Sequence, residues 1–481
     1  MLFIKNGYFC NKVKHICGYK KIEPMFFYYL MPVIFILGIL AIAFEDVIKV
    51  NKAATAVGMS ILLWVIFLLN AEQFFEIAPH ANLDLLRDTF PALSEVPSSD
   101  LAFEFIEFKL MHGLGDVATT LFFVLGSMAI IDIVDSHGGF SVMSQAIRAG
   151  RLRKLLWTLC AITFFMSILL GNLATVIVMI AIARKLIPER NTRLIFSAMI
   201  IVASNAGGSC SPIGDVTTLL LWTGGNLTAL HQMGSLIFPS MVMLLVPLVC
   251  ASFMLPKEAV ATPTTMGDAT VDGVSPKMRK TVLYVGLGSL ALVPVLQTLI
   301  QLPPFMGVLL GLVALWAITD RKYADSEDEA MQNLRVHRAF ARVDVSTVFF
   351  FLGILMSVQA LIVTGELGIL ANFLSDTFAN ENMIAIVLGL LSSFLDNVAL
   401  VSATMGMYPL ADVGVFAADS SFWTLMAYCA VCGGSILIIG SAAGVTVMGM
   451  EKISFGYYLK RFTPIVLLGF FAGVLVYSLL F

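Results

Sequence analysis

Long apolar runs separated by short polar stretches make up the hydropathy pattern from Phe26 to Leu480. Each run is about 20 residues long, the length at which a helix crosses a hydrocarbon core of about 30 Å. A membrane β-barrel would instead show shorter segments of alternating polarity. The pattern therefore predicts an all-α polytopic membrane protein. We place its spans at residues 26–44, 53–69, 113–134, 194–223, 235–255, 281–301, 303–319, 345–363, 421–450 and 462–480.

Two further apolar stretches, 155–183 and 382–408, do not fit simple spans. The first is too long for one comfortable crossing, and basic residues at both of its ends favour the cytoplasm. The second is flanked by acidic residues. We therefore predict two re-entrant hairpins that enter from opposite faces of the membrane and turn at Gly171–Asn172 and at Asp396–Asn397. Such backbone is tolerated at membrane depth only where protein or a wet cavity covers it.

The charges of the loops predict the orientation of the chain. Loops 256–280 and 320–344 are rich in lysine and arginine and are expected in the cytoplasm, whereas the acidic loop 71–111 is expected outside. This orientation places the N-terminus outside, together with five lysines that do not suit that side. A start at Met25 would remove the conflict. The alternative is an additional interfacial or membrane element near residues 100–112.

Three short motifs recur in the same order in the two halves of the chain. "FFVLG" matches "FFFLG", "LLGNLATVIV" matches "FLDNVALVSA", and "GGSCSPIGD" matches "GGSILIIGS", at offsets of 227, 225 and 226 residues. The halves have opposite predicted orientations, so the fold class becomes two inverted structural repeats, each with a re-entrant helical hairpin and a broken transmembrane helix. Inverted repeats with interrupted helices are typical of secondary transporters. The predicted domains are a basic extension at 1–24, N-terminal helices and an acidic external loop at 25–112, the first repeat at 113–234, linking helices and loops at 235–344, and the second repeat with the terminal helix at 345–481.

The stretch "SNAGGSCSPIGDVTT", residues 204–218, concentrates polar groups inside a predicted span. Glycines and a proline interrupt the helix there and free backbone carbonyls. Hard cations prefer several oxygen ligands with some negative charge. The alternative is a face of small residues that packs helices together, with hydroxyls bonded to their own helix. The candidate ligands in this stretch are Asn205, Ser209, Ser211, Asp215, Thr217 and Thr218.

Ionisable groups at membrane depth are the strongest functional candidates. Asp396 at the second hairpin tip can exchange a proton for a cation, or can serve as the N-terminal cap of the following helix. We predict Na⁺ at Asp215, Asp396, Asn172 and Asn397. Asp132, near the cytoplasmic end of its span, is either an entry-path carboxylate or a solvated helix end.

The blocks "SNAGGSCSPIGDVTTLLLW", "LLGNLATVIVMIAIARKL", "FFVLGSMAIIDIVDSHGGF" and "FLDNVALVSATMGMY" resemble NhaD-type sodium/proton antiporters of the ion-transporter superfamily. The resemblance implies an exchanger of Na⁺ or Li⁺ for H⁺ in a bacterial inner membrane, with the plastid inner envelope as the alternative location. It also implies ion-binding or transport roles for Asn172, Asn205, Asp215, Thr217, Thr218, Asp396, Asn397 and Ser435.

The chain departs from the family pattern in two places. Gly171 stands where the family typically has an aspartate at the first hairpin tip. Thr119 and Thr120 stand where many relatives carry a glutamate. Because each carboxylate can neutralise one cation or bind one proton, these losses affect the expected ion specificity and stoichiometry.

We therefore expect a secondary active transporter, with Na⁺, Li⁺, H⁺ and the lipid bilayer as its partners and no cofactor beyond the transported ions. A net charge of −3 gives no indication of nucleic acid binding. Assembly as a homodimer is left open. The first rival function is a dicarboxylate or arsenite-type anion carrier of the same superfamily. The carboxylates of Asp215 and Asp396 argue against binding of an anion. The second is an intramembrane enzyme or a transport-dead receptor, and no HExxH or plausible Ser–His pairing supports an enzyme.

Overall fold

The computed structural model describes residues 24–43, 45–71, 74, 98–140, 151–255, 274–324, 328–378 and 380–481. The expectations for the basic stretch before residue 24, including the choice of start, fall outside these residues. So do most of the predicted acidic loop and residues 256–273 of the basic loop.

The described chain is helical, as the apolar pattern predicts. The helices are α1 (Pro24–Ala43), α2 (Glu45–Ile48), α3 (Lys52–Leu69), α4 (Ser98–Ser136), α5 (Leu152–Leu170), α6 (Asn172–Leu186), α7 (Arg190–Ser209), α8 (Val216–Thr223), α9 (Ala229–Met254), α10 (Pro276–Ile300), α11 (Pro304–Tyr323), α12 (Glu329–Gln332), α13 (Val336–Arg342), α14 (Val345–Val363), α15 (Glu366–Thr377), α16 (Glu381–Leu391), α17 (Asn397–Met407), α18 (Ser421–Gly433), α19 (Ala442–Glu451), α20 (Phe455–Arg461) and α21 (Thr463–Leu480).

Eight of the described helices are long and apolar enough to cross a membrane. They are α3, the Phe105–Ser136 part of α4, α5, α9, α10, α11, α14 and α21. The prediction of an all-α polytopic membrane protein is therefore confirmed. One boundary differs clearly: α4 begins at Ser98, whereas the apolar pattern places its start near 113. Residues 98–112 contain charged side chains but no proline, and their first glycine is Gly113, so the helix continues through a stretch that hydropathy alone assigns to a loop.

The structure divides into two compact units. The first contains the chain up to Ala118 together with Phe349–Asn372. Within it, the indole N–H of Trp64 on α3 donates to the carbonyl oxygen of Met356 on α14 at 2.9 Å. The absence of a side chain at Gly353 lets the α14 backbone approach the α3 backbone at Ala56. This close approach holds α14 against the N-terminal helices.

The second unit contains Thr119–Val348 and Phe373–Phe481. Two sets of helices in it have the same order: α5, α6, α7 and α8, then α16, α17, α18 and α19. Glycine permits a close contact at the same place in each set. A Cβ atom on Gly207 of α7 would overlap the carbonyl oxygen of Phe164 on α5, and one on Gly433 of α18 would overlap the carbonyl oxygen of Gly389 on α16. The backbone of α7 therefore packs directly against that of α5, and the backbone of α18 packs against that of α16.

Candidate ion-binding site

Four helices of the second unit begin directly after short non-helical segments that interrupt longer apolar stretches. The α5–α6 hairpin turns at Gly171, and α16 and α17 are separated by residues 392–396. The break between α7 and α8 covers 210–215, and the break between α18 and α19 covers 434–441. These interruptions lie where the sequence predicts the hairpin tips and broken helices. The N-termini of α6, α8, α17 and α19 carry partial positive charge and N–H groups that have no partner within their own helix, so they favour oxygen-bearing side chains.

Asp215 is the centre of the first group of polar contacts. Asp215 is the N-terminal cap of α8. Its side chain accepts from the backbone N–H of Thr217 at 2.8 Å and also from the Thr217 hydroxyl. The amide of Asn172, from the first hairpin, donates to Asp215 Oδ2. The amide of Asn397, from the second hairpin, lies 3.4 and 3.5 Å from its two oxygens. Asp215 is 6% exposed, so a buried carboxylate is held by groups from both hairpins.

Asn205 on α7 is the centre of the second group. Its Oδ1 accepts from the amide of Asn172 at 3.1 Å. Its own amide donates to the hydroxyls of Ser435 at 2.9 Å and Ser441 at 3.0 Å, both in the break between α18 and α19. Asn205 is fully buried, and every contact lies between segments distant in sequence. One amide therefore connects the two broken helices and the first hairpin.

Asp396 lies beside this cluster at the start of α17. Its Oδ1 accepts from the backbone N–H groups of Val398 at 3.0 Å and Ala399 at 3.3 Å, so it caps the helix. It is also near enough to Asp215 for the two carboxylates to repel each other. The capping interpretation is thus confirmed, while binding of an ion by Asp396 stays a prediction. Two carboxylates amid amides and hydroxyls provide the hard oxygen ligands that suit a monovalent cation.

Gly171 shows why the first hairpin tip differs from the second. Its φ of 79° and ψ of 159° lie in a region that is essentially accessible only to glycine. Asp396, at the equivalent place, has φ −61° and ψ 128°, which any L-residue adopts. The two tips therefore differ in backbone conformation as well as in charge.

Replacement of Gly171 by alanine should lower the free energy of unfolding by about 1–3 kcal/mol, because a side chain is strained at this φ and ψ. The nearest atoms to a Cβ there, the carbonyl oxygens of Gly214 and Ile213, are both 3.7 Å away, so the cost is backbone strain rather than overlap. Gly171→Asp should lose stability in the same way. Thermal unfolding in detergent measures the effect. Gly288→Ala, within α10 and with open space around its Cβ, is the control and should not destabilise.

Three other predicted residues, Ser209, Ser211 and Thr218, support the break. The backbone N–H of Thr218 also bonds to the Asp215 side chain, in a capping box. Ser209 faces α9, where its hydroxyl lies 2.7 Å from that of Ser240. The Thr218 hydroxyl donates to the carbonyl oxygen of Ser211 at 2.8 Å and accepts from the backbone N–H of Asp215 at 3.2 Å. These bonds hold the irregular backbone of 210–215 in place, which keeps buried polar groups paired.

Asp132 lies apart from the cluster. Its Oδ2 is 2.7 Å from Arg342 Nη2, and its Oδ1 is 3.2 Å from Arg342 Nε, a two-pronged ion pair between α4 and α13. An entry-path role for Asp132 stays a prediction.

Ser441 also contacts the cluster, although it is not among the candidate ligands predicted from the sequence. It caps α19, with its hydroxyl accepting from the backbone N–H of Gly444 at 3.1 Å, and it also contacts Asn205. The signal was available, because the repeat aligns Ser441 with Asp215. The two residues cap corresponding helices, one with a carboxylate and one with a hydroxyl.

A buried carboxylate with two arginine partners lies at the far end of α19. Glu451 accepts from Arg184 Nε at 2.6 Å and from Arg193 Nε at 2.8 Å, and its side chain is only 1% exposed. Arg184 is in the last turn of α6, and Arg193 is in the first turn of α7. Helix α19 is thus bonded to the first broken helix at both ends, through Asn205 at one and Arg193 at the other, and to the first hairpin at its Glu451 end, through Arg184.

Comparison with known proteins shows the family to which the chain belongs. Residues 31–425 match the citrate transporter family. Sodium/proton antiporter 1 of Arabidopsis thaliana is 39% identical over 448 residues, which cover 93% of this chain and 71% of the plant protein. Sodium/proton antiporter 2 of the same plant is 36% identical over 93% of this chain and 98% of its own length. The Na(+)/H(+) antiporter NhaD of Alkalimonas amylolytica is 30% identical over 77% of this chain and 79% of its own length. The resemblance is therefore confirmed: the chain belongs to the citrate transporter family and, within it, to the NhaD-type sodium/proton antiporters.

Proposed function

We propose that this protein exchanges Na⁺ or Li⁺ for H⁺ across an energised membrane. The observation that carries the proposal is Asp215, a buried carboxylate contacted by one amide from each hairpin and by the Thr217 hydroxyl of α8. Such a group exchanges charge one for one: a carboxylate with a bound cation takes up a proton and releases the cation, and the reverse step binds the next cation. Ionisable residues in membrane-spanning regions commonly mark ion pathways and proton relays.

Each residue of the cluster has a proposed part in this exchange. Asp215 and Asp396 carry the alternating proton and cation charges. Asn172 and Asn397 donate to the Asp215 carboxylate, so a cation has to displace or share these donors, and rotation of either amide would present an oxygen ligand. Asn205 fixes Asn172 and the second break. Thr217 and the Ser and Thr oxygens of the break supply neutral ligands.

The two matching sets of helices support an inverted repeat. The glycine contacts at 207 and 433, the caps at Asp215 and Ser441, and the hairpin tips at Gly171 and Asp396 occupy corresponding places. In secondary transporters, the binding site lies between such repeats near the membrane midplane. Alternate exposure of the site to the two faces completes the proposed transport cycle.

Its location is proposed to be a bacterial cytoplasmic membrane, in line with the bacterial NhaD relatives. The plant relatives keep the plastid inner envelope as the second candidate location. Either membrane holds the proton gradient that an exchanger needs.

The test is cation-driven proton release from everted membrane vesicles at about pH 8, where ordinary carboxyl and histidine groups are deprotonated. Vesicles are acidified inside by respiration, and recovery of a quenched acridine dye follows the addition of salt. Addition of NaCl or LiCl should restore the fluorescence, and addition of choline chloride should not. If no Na⁺- or Li⁺-dependent recovery occurs in vesicles that contain the protein, the proposal is wrong.

The family description raises citrate as a second candidate substrate. The geometry is unfavourable to it, because a polyanion would have to approach two carboxylates, Asp215 and Asp396. Uptake of labelled citrate and succinate into proteoliposomes discriminates the two functions. We expect no uptake above that of protein-free liposomes, and uptake without any cation-driven proton release would establish the anion carrier instead.

A further inference from the structure

Glu366 is a buried carboxyl group that the ion-binding cluster does not use. It is the first residue of α15 and lies beyond the end of the α14 span. Its exposed fraction is 7%, and neither carboxylate oxygen has a hydrogen-bond partner among the described residues. Buried polar groups are nearly always paired, so an orphan of this kind requires an explanation.

The surroundings of Glu366 favour the neutral acid. Burial of an unpaired carboxylate costs several kcal/mol, and such groups neutralise instead. The hydroxyl of nearby Thr364, in the turn after α14, bonds back to the carbonyl oxygens of Ala360 and Leu361 in the last turn of that helix. From α1, Tyr28 is the titratable group within electrostatic range of Glu366, and its ring is buried against Phe74 with centroids 5.9 Å apart.

The position of Glu366 at a helix N-terminus acts in the opposite direction. The helix dipole stabilises a negative charge in the first turn of a helix. The cost of burial is larger, and it raises the pKa of Glu366 to about 8. The carboxyl is therefore protonated at neutral pH and ionises in the alkaline range.

We propose that Glu366 is a second proton-binding site of this protein, separate from the Asp215 cluster, which holds a proton at neutral pH and releases it under alkaline conditions. The site belongs to the first unit, whereas Asp215 and Asp396 belong to the second. Its ligand is the proton alone. The proposal does not rest on the exchange of Na⁺ for H⁺, because binding of a proton by Glu366 can be measured without transport.

Infrared difference spectroscopy of the full chain in liposomes tests the site directly. Spectra at about pH 6 and pH 9.5, on either side of the Glu366 pKa of about 8, should show loss of a protonated carboxyl C=O band in the wild type. Glu366→Gln, which mimics the neutral acid, should lack that part of the signal, while Glu381→Gln should retain it. Glu381 is the matched control because it also begins a helix but is partly exposed. Identical pH difference spectra in wild type and Glu366→Gln would overturn the proposal, as would a band that disappears on addition of Na⁺ at constant pH.

Thermal unfolding gives an independent readout with a defined sign. The folded protein binds the Glu366 proton more tightly than the unfolded chain, so this residue lowers stability as the pH rises from the unfolded pKa of about 4.3 to the folded value. Wild type and Glu366→Gln should therefore have similar melting temperatures at about pH 4, and Glu366→Gln should melt higher at about pH 9. An equal or lower melting temperature of Glu366→Gln at alkaline pH contradicts the site. Absence of cation-driven proton release would refute the antiporter function and leave this titration unaffected.

Discussion

Asp215→Asn should abolish Na⁺- and Li⁺-dependent proton release, down to the level of vesicles that lack the protein. Asparagine has nearly the same shape as aspartate and is an equally good helix cap, so the bond to the Thr217 N–H and the start of α8 are retained. The substitution removes the one group in the centre of the cluster that can alternate between a bound proton and a bound cation. Exchange should fail because the charge is lost, with the fold intact.

Asp412→Asn is the matched control for this experiment, since Asp412 is an exposed aspartate in the loop between α17 and α18. It should exchange cations as the wild type does. Melting temperatures of both variants establish that they are folded. Substantial exchange by a folded Asp215→Asn variant would show that the transported charge is carried elsewhere, with Asp396 the next residue to replace.

Asn205→Ala should lower exchange by about tenfold or more and should also destabilise the protein. The substitution removes the acceptor for Asn172 and the donor for Ser435 and Ser441 in one step. Each buried polar group left unpaired costs about 1–3 kcal/mol, and about 1.4 kcal/mol corresponds to a tenfold change in an equilibrium constant. Vesicle exchange rates and thermal unfolding measure the two effects.

Asn191→Ala provides the comparison on the same helix. Asn191 also belongs to α7, but its side chain is exposed at the opposite end from the break. Its replacement should leave exchange unchanged. If Asn205→Ala loses stability but keeps its exchange rate, then Asn205 supports the fold without positioning the ion ligands.

The sequence was most informative where polar residues interrupt apolar runs. Four features located the four interruptions: proline and glycine in 204–218, the matching motif "GGSILIIGS" in the second half, and the Gly171–Asn172 and Asp396–Asn397 pairs. Backbone that is not helical is tolerated at membrane depth only where protein or a wet cavity covers it, so such polar breaks in apolar runs are informative. It was less informative about boundaries on the polar side. The start of α4 at Ser98 shows that charged residues continue a helix as readily as apolar ones.

The details of the cluster depend on distances between segments that sequence spacing does not encode. The alignment of Asp215 with Ser441 was visible, but the bonds of Asn205 to Ser435 and Ser441 join residues more than 200 positions apart. Gly171 presents a related difficulty. A missing aspartate is evident from the sequence, whereas the glycine-only backbone that accompanies it is evident only from φ and ψ.

The attachment of α19 at both ends has a consequence for local unfolding of the protein. Ser441 holds one end to Asn205, and Glu451 holds the other to Arg184 and Arg193. Local opening of α19 alone would break a buried hydrogen bond together with both ion pairs of the buried Glu451 carboxylate. Opening should therefore include α6 and α7 as one cooperative unit. Amide hydrogens of α19, although it is a helix of only 10 residues, should then exchange with deuterium as slowly as those of α7.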